Sequence, residues 1–398
     1  MLSIIWYLFI MPISIYLGLN VAYLLLCAIA GRWGGGDDVP LTQNPQKLRR
    51  IAVLIPAYKE DKVIIDSVEA NLQVDYPREL FDLYVIADSF LPTTLQTLKA
   101  LPIHVIEVFF EQSTVQKSIT FALNQLPHNQ YDIVAISDAD NHMKPDFLRR
   151  INLAFDQGWQ VVQGHRIAKN TNTSVAVFDA MNEEVNNHLF RKGQRAIGMS
   201  ASLIGSGMAF EPKAMIKGMN SLQTIGGYDK ELEMNLLLDG YKIAYLKDAY
   251  ILDEKVQNLA VFERQRSRWI AAQIHFIKFY FKTGIVELFK GNVHAFNALV
   301  KSLIVPRTLL LAILGIGFLA GLVFLSLPTL TFFGILLSGL VLSLVLSIPD
   351  YLLTKVSAKD FVTLFQLIFR MVRSLLNLNK ASKSFLPTPH GEVDTHAK

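Results

Sequence analysis

The sequence predicts an α/β domain on a mostly parallel sheet, fastened to a membrane by one apolar helix before it and two after it. Three observations carry this. Short β-rich apolar runs alternate with helical patterns between residues 51 and 136, a spacing that argues for parallel strands joined by crossover helices. The 398-residue chain is 51% hydrophobic with a mean hydropathy of +0.31, more apolar than an ordinary soluble enzyme. The excess collects at the two ends.

Residues 1–30 form the first predicted span. From Leu2 to Ala30 no residue is charged, and Pro12 is a candidate kink. A basic leader and a small-residue cleavage site are lacking, so a retained anchor is expected over a removed signal peptide. Residues 306–327 and 329–350 are the second and third predicted spans, divided by Pro328. Arg32, Lys47, Arg49 and Arg50 follow the first span, Lys301 and Arg307 precede the second, and Lys355, Lys359 and Arg370 follow the third. That bias places the N-terminus outside and the middle region and C-terminus in the cytoplasm, as expected in a bacterial plasma (inner) membrane.

A net charge of +4 and a pI near 8.9, with no run of five basic residues, suit a surface facing anionic lipid and exclude a nucleic-acid binder. The single cysteine, Cys27, lies within the first span. Disulfide scaffolds and cysteine-based zinc sites are thereby excluded.

Residues 31–48, rich in Gly, Pro, Asn and Asp, read as a linker, and 49–255 as the α/β domain. Strands are expected at 51–55, 83–86, 104–109 and 133–136, with helices at 62–72 and 113–126. Further on, 159–163 reads as a strand, 175–191 as a helix and 205–210 as a loop with a short strand. Residues 231–239 suggest a helix closed by Gly240. Apolar and basic residues mix over 256–300 and 357–398, as in helices lying on a membrane surface.

Ligands of such sheets collect at the carboxyl ends of the strands. There the fourth strand ends in Asp138-Ala139-Asp140. Residues two apart in an extended chain share a side, so both carboxylates could grip a hard divalent cation that also holds a diphosphate; a solvated turn is the plain alternative. Lys117 could meet a phosphate or lie on the surface. Gly205-Ser206-Gly207 allows close backbone approach or forms a simple turn. Glu231 and Glu233 suit a helix N-terminus on electrostatic grounds alone. His142, His165 and His188 show no metal-ligand spacing. Gln265-Arg266-Ser267-Arg268-Trp269 combines guanidinium forks that match phosphate oxygens with an indole face for a sugar ring; a basic helix at lipid headgroups would look the same.

Taken in order, Pro56-Ala57-Tyr58-Lys59-Glu60, Ile86-Ala87-Asp88, Lys117, Asp138-Ala139-Asp140, Gly205-Ser206-Gly207-Met208, Lys230-Glu231 and Gln265-Arg266-Ser267-Arg268-Trp269 resemble the membrane-bound family 2 glycosyltransferases. That group includes cellulose, hyaluronan and poly-N-acetylglucosamine synthases and ceramide glucosyltransferase. The resemblance covers roughly residues 50–272, with Phe385-Leu386-Pro387-Thr388-Pro389-His390 in the same style. It implies a GT-A fold, a UDP-sugar donor, Mg²⁺ or Mn²⁺, and inversion at the anomeric carbon. By that analogy Pro56, Tyr58, Glu60 and Lys117 border the nucleotide-sugar, Asp88 holds the uracil and Asp138 the ribose or a phosphate. Asp140 binds the metal. Gln265, Arg268 and Trp269 close over the diphosphate, and Gly205, Ser206, Gly207 and Trp269 line the acceptor site. The implied partners are a UDP-sugar, a lipid-linked or glycan acceptor and membrane lipids, with a homo-oligomer or partner subunits left open.

The chain departs from the family at the catalytic base, where Glu-Asp is usual and Lys230-Glu231 stands. Glu231 is the expected base and Asp229 the alternative. A methylene's displacement of about 1 Å can cost on the order of 100-fold in rate. A non-catalytic or weakly active subunit that kept the nucleotide-sugar fold is the competing reading.

Overall fold

The computed structural model describes residues 10–43, 45–127, 129–223 and 227–376. The start of the first predicted span and the motif at 385–390 lie outside the described residues. The core of the fold is an eight-stranded sheet of order β3-β2-β1-β4-β7-β6-β8-β5. Strands β1 (Ile51–Tyr58), β2 (Phe81–Asp88), β3 (His104–Val108) and β4 (Ile133–Ile136) pair in parallel, as the alternating pattern predicts. Along β1, Ile51, Val53, Ile55 and Ala57 face one hydrophobic layer, while Ala52 and Leu54 face the other. A strand buried on both faces reads as an unbroken apolar run, which is why these strands stand out.

The other half is mixed, though β6 and β8 pair in parallel and four of the seven described strand pairs are parallel. Strand β7 (Met208–Phe210) runs antiparallel between β4 and β6 (Val161–Ala168), and β5 (His142–Met143) runs antiparallel to β8 (Ile243–Asp253). The glycines before β7 set this reversal: Gly205 and Gly207 sit at φ +86° and +67°, a region natural to glycine. Strand β8 is absent from the sequence expectations. Lys247-Asp248 breaks its apolar run, and the register with β6 slips between Gly164 and His165.

Helices α1 (Met11–Trp33), α2 (Ile64–Asn71), α3 (Pro92–Ala100), α4 (Val115–Gln125), α5 (Phe147–Asp156) and α6 (Ser174–Asn187) follow in chain order. After α6 the chain makes one π turn and a short α7 (Gly193–Ala196), then α8 (Pro212–Asn220) and α9 (Tyr228–Leu238). Residues 256–300 hold α10 (Leu259–Phe289), one unbroken helix of 31 residues, and α11 (Val293–Leu303). Next come α12 (Arg307–Val323), α13 (Leu327–Ser347), α14 (Asp350–Leu353) and α15 (Asp360–Leu376).

Among the described residues two helices, α1 and α13, are long and apolar enough to cross a membrane, and α11 with α12 makes a third only as a pair bent by 55°. The second predicted span is therefore shorter than expected: α12 has 17 residues. Leu17, Val21 and Leu24 of α1 pack with Leu310, Leu314 and Leu340. Helix α15 lies on α10 through Arg370 and Glu263 at 2.8 Å, and leaves Phe361, Phe365 and Phe369 exposed, the amphipathic face its sequence predicts.

The domain is seated directly on α1. A Cβ at Gly193 would lie 2.3 Å from the Cys27 carbonyl oxygen, and one at Gly31 would lie 3.2 Å from the Gly193 Cα. The Gln194 amide donates to the Tyr23 hydroxyl at 3.0 Å and accepts from the Asn297 amide at 2.6 Å. The expected linker is tied down as well: the Asp37 carboxylate accepts from Arg195 at 2.8 Å and from the Tyr245 N–H at 2.9 Å. Gly193→Ala is expected to force α1 and α7 apart, costing about 1–3 kcal/mol. Thermal unfolding of the full chain would register this, and a transition unchanged from wild type would refute the close seating.

Candidate active site

The site lies at the carboxyl ends of β1, β2 and β4. Pro56 is buried within β1 opposite Ile86, and Tyr58 stands opposite Asp88 at the two strand ends. Glu60 begins the turn into α2, its carbonyl accepting the Val63 and Ile64 N–H groups at 3.2 and 3.1 Å. Asp88 is fully buried. Its Oδ1 accepts the Ser89 hydroxyl at 2.9 Å, while Oδ2 is buried with no hydrogen-bond partner among the described residues. A buried acceptor of this kind costs free energy until something donates to it.

The Asn141 N–H closes onto the Asp138 carbonyl at 3.1 Å, so Asp138-Ala139-Asp140 runs through a turn rather than an extended strand end. Asp138 keeps 36% side-chain exposure and stands 4.0 Å from Arg166. Asp140 is buried, with Oδ2 accepting the Glu254 N–H at 2.9 Å. Among the described residues no three His, Cys, Asp or Glu side chains form a metal cage. Two oxygen donors of this type fit Mg²⁺ or Mn²⁺ whose remaining positions are filled by diphosphate oxygens and water.

The turn is clamped from both sides. From α2, Ser67 and Asn71 donate to the Asn141 carbonyl at 2.8 and 2.9 Å. From the glycine loop, the Ser206 hydroxyl donates to Asn141 Oδ1 at 3.2 Å and accepts the Asp138 N–H at 3.0 Å. Ser206 is itself fully buried. Gly205, Ser206 and Gly207 thus brace the carboxylate turn, a role their composition alone does not reveal.

The loop leads to α9. The Tyr228 hydroxyl donates to the Gly205 carbonyl at 2.8 Å. Asp229, in the first turn of α9, remains partly accessible. Burial raises its carboxyl above the usual carboxylate range, with Glu233 adding to the rise and Lys230 and Arg166 opposing it. Glu231 occupies a different place: it is 1% exposed, and its Oε1 accepts from the Tyr280 hydroxyl and the Gln223 N–H, both at 2.9 Å. Glu231 ties α9 to α10.

Helix α10 carries the Gln-Arg-Ser-Arg-Trp segment and meets the start of α9 one turn further on. Gly227 caps α9 at φ +73°, and a Cβ there would lie 2.8 Å from the Ala272 Cβ on α10. Gln265, Arg268 and Trp269 are spaced i, i+3 and i+4, hence on one helical face. Gln265 Oε1 is buried without a partner among the described residues, and Trp269 is 41% exposed. Burial and the nearby Arg264 lower the Arg268 pKa. Arg266 turns the other way, pairing with Asp179 and lying 3.9 Å from the Trp269 ring centroid. Lys117 stays on the surface, its Nζ donating to the Gln112 carbonyl at 2.7 Å.

A buried ion network underlies these elements. Arg166 pairs with Glu183 at 2.7 Å and Asp253 at 3.7 Å; Lys255 pairs with Asp253 at 2.5 Å and Glu183 at 3.8 Å. Arg191 stands 3.5 Å from Glu183. Burial opposes its charge, but Arg166, Lys255 and Arg191 hold the Glu183 carboxyl well below the usual range. None of these residues is among the sequence candidates. The available signal was the adjacent pair Glu183-Glu184 within the helix expected at 175–191. Of the histidines, His165 bonds Glu184 at 2.9 Å and His188 the Ala28 carbonyl at 2.9 Å.

This arrangement, a mixed sheet with an acidic turn at the end of β4, defines a GT-A-like α/β protein. A model described as "Glycosyltransferase like family 2" matches residues 48–272, more than half of the chain, and the chain belongs to that family. It is 24% identical over 256 residues to a probable glucomannan 4-beta-mannosyltransferase 3 of Arabidopsis thaliana, covering 58% of this chain and 44% of the relative. It is 24% identical over 230 residues to a beta-monoglucosyldiacylglycerol synthase of Nostoc sp., covering 55% and 48%. The chain spans about half the length of these curated relatives. In fold it is similar to the mannosyltransferase PcManGT of Pyrobaculum calidifontis, solved with GDP-Man and Mn²⁺, at a TM-score of 0.54 and 17% identity, covering 92% of this chain and 98% of that one.

Glu183→Gln should leave Arg166, Arg191 and Lys255 undercompensated in the interior, at a cost of about 3–5 kcal/mol. Chemical denaturation would reveal it as a large loss of stability. A loss below about 1 kcal/mol, the scale of a surface pair, would contradict the network's role.

Proposed function

We propose that this protein transfers a hexose or N-acetylhexosamine from a UDP-sugar, with inversion, to a glycan or lipid-linked acceptor at the cytoplasmic face of a bacterial plasma membrane. The observation that carries the nucleotide reading is the buried, partnerless Asp88 Oδ2. Since Ser89 occupies Oδ1, one acceptor position remains, which suits the single N–H of uracil better than the paired donors of guanine. The family's mannosyl- and glucosyltransferases support a hexose as the transferred group.

The base in this reading is Asp229 rather than Glu231. Asp229 is partly accessible at the start of α9, whereas Glu231 is buried and engaged by Tyr280 and Gln223. Its raised carboxyl makes Asp229 the stronger proton acceptor. The acceptor hydroxyl gives its proton to Asp229 as its oxygen bonds the anomeric carbon. The bond from that carbon to the diphosphate breaks, and UDP leaves with the electron pair. Arg268 and Gln265 meet the departing diphosphate, and the exposed Trp269 face receives the acceptor sugar. Asp140 and Asp138 would hold a divalent cation, which when bound would neutralise charge on the leaving diphosphate.

Asp229→Asn is expected to lower turnover about 10²- to 10⁴-fold with donor affinity retained, as read by UDP release and isothermal titration. Glu231→Gln should retain most of the turnover, and the reverse ranking would return the base to Glu231. Because the base must be deprotonated, activity should fall as pH drops, with the acid limb above the ordinary aspartate value of about 3.9. Asp88→Ala should weaken UDP binding by roughly 10- to 100-fold. Donor binding with no UDP release, across a panel of acceptors, would instead mark a non-catalytic subunit.

A further inference from the structure

Arg307 opens α12 at the bend from α11, where the uncharged run of that helix begins. Its Nη2 donates to Asn182 Oδ1 at 2.7 Å, Asn186 Oδ1 at 2.8 Å and the Asn182 carbonyl at 3.4 Å. These acceptors are all neutral. No carboxylate lies within ion-pairing distance of Arg307 among the described residues, and its Nη1 is buried without a partner. The charged groups that act on it are Arg266, Glu183 and Arg191. Two of the three are cations.

The acids nearby are already engaged. Glu183 is shared by Arg166, Arg191 and Lys255, and Asp179 pairs with Arg266. Arg266 is 5% exposed, and its Nε too is buried with no partner among the described residues. The region thus carries more positive than negative charge in a desolvated place, with guanidinium N–H groups unused. A buried guanidinium without a counterion is costly, and the N-terminus of α12 adds further positive potential.

We infer that Arg307, with Arg266 behind it, forms a binding site for the phosphate group of an anionic membrane lipid, one whose headgroup brings no cation of its own into this excess of positive charge. Guanidinium forks match phosphate oxygens in pairs. Arg307 stands where an apolar helix starts, the level at which a headgroup phosphate meets protein. Asn182 and Asn186 orient the Arg307 fork, and the Phe190 ring, 5.7 Å from it, closes the apolar side. The site is distinct from the donor site at Asp88 and Asp138, and it requires no turnover.

The test uses the full chain in neutral detergent, titrated with phosphatidylglycerol or phosphatidylcholine and followed by native mass spectrometry and thermal unfolding. Phosphatidylglycerol should bind and raise the unfolding temperature. Arg307→Gln should lower its retention about tenfold or more, with phosphatidylcholine binding unchanged. Arg307→Lys should keep an intermediate share and serves if the glutamine variant does not fold. Arg32→Gln, at the end of α1, is the control and should bind as wild type. A parallel titration with inorganic phosphate separates the sources: an Arg307-dependent shift at millimolar concentration supports the same site and shows the phosphate group alone to be sufficient. Equal phosphatidylglycerol retention by wild type and Arg307→Gln would overturn the site. So would the absence of any wild-type shift with either lipid or phosphate.

Discussion

The architecture depends on how charge is neutralised inside it. Glu183 projects from α6 to meet Arg166 on β6, Lys255 after β8 and Arg191 in the π turn. Three separate stretches of chain therefore meet at one carboxylate: β6, the end of β8, and α6 with the π turn that continues it. Removing water from so many charges is expensive, and only full mutual pairing offsets the cost. The arrangement is strict in consequence: β6, β8 and α6 hold one relative position. Arg166 also reaches toward Asp138, so the network extends to the edge of the donor site. The acidic turn inherits its geometry from the interior.

The same strictness governs the attachment to the apolar helices. Where α1 crosses α7, glycines on both sides remove the side-chain layer that would normally separate them. Polar groups then fill the contact, with Tyr23, Gln194 and Asn297 in one hydrogen-bonded chain. An amide and a phenol buried together are tolerable only when each is satisfied. The anchor helix is thus a structural member of the domain as well as a tether.

Much of this was legible in the amino-acid order. Strands β1 and β4 announce themselves because both faces are buried and nearly every position is apolar, while β2 and β3 keep an apolar center between charged residues. The apolar helices and the amphipathic α15 follow from composition. Strand β8 was hidden by Lys247-Asp248, charges that belong to a register slip rather than to a loop. The extended backbone assumed for Asp138-Ala139-Asp140 is a turn instead, because the Asn141 N–H closes onto the Asp138 carbonyl. Glu231 and Asp229 are near neighbours in sequence but differ in burial, and the burial of Glu231 depends on Tyr280 of α10. Arg266 and Asp179 are 87 positions apart. No local pattern reports a pair at that distance.

The contact between Gly227 and Ala272 bears on how this protein can evolve. At that point the spacing of α9 from α10 is set by two backbones and one methyl group, without a large side chain between them. Elsewhere in the core a change of size can be absorbed by a neighbour's change of size. Here there is no neighbour to trade with. Sequence drift can therefore remodel the sheet and its covering helices while the spacing at this contact stays the same. Specificity can diversify around a junction that does not move.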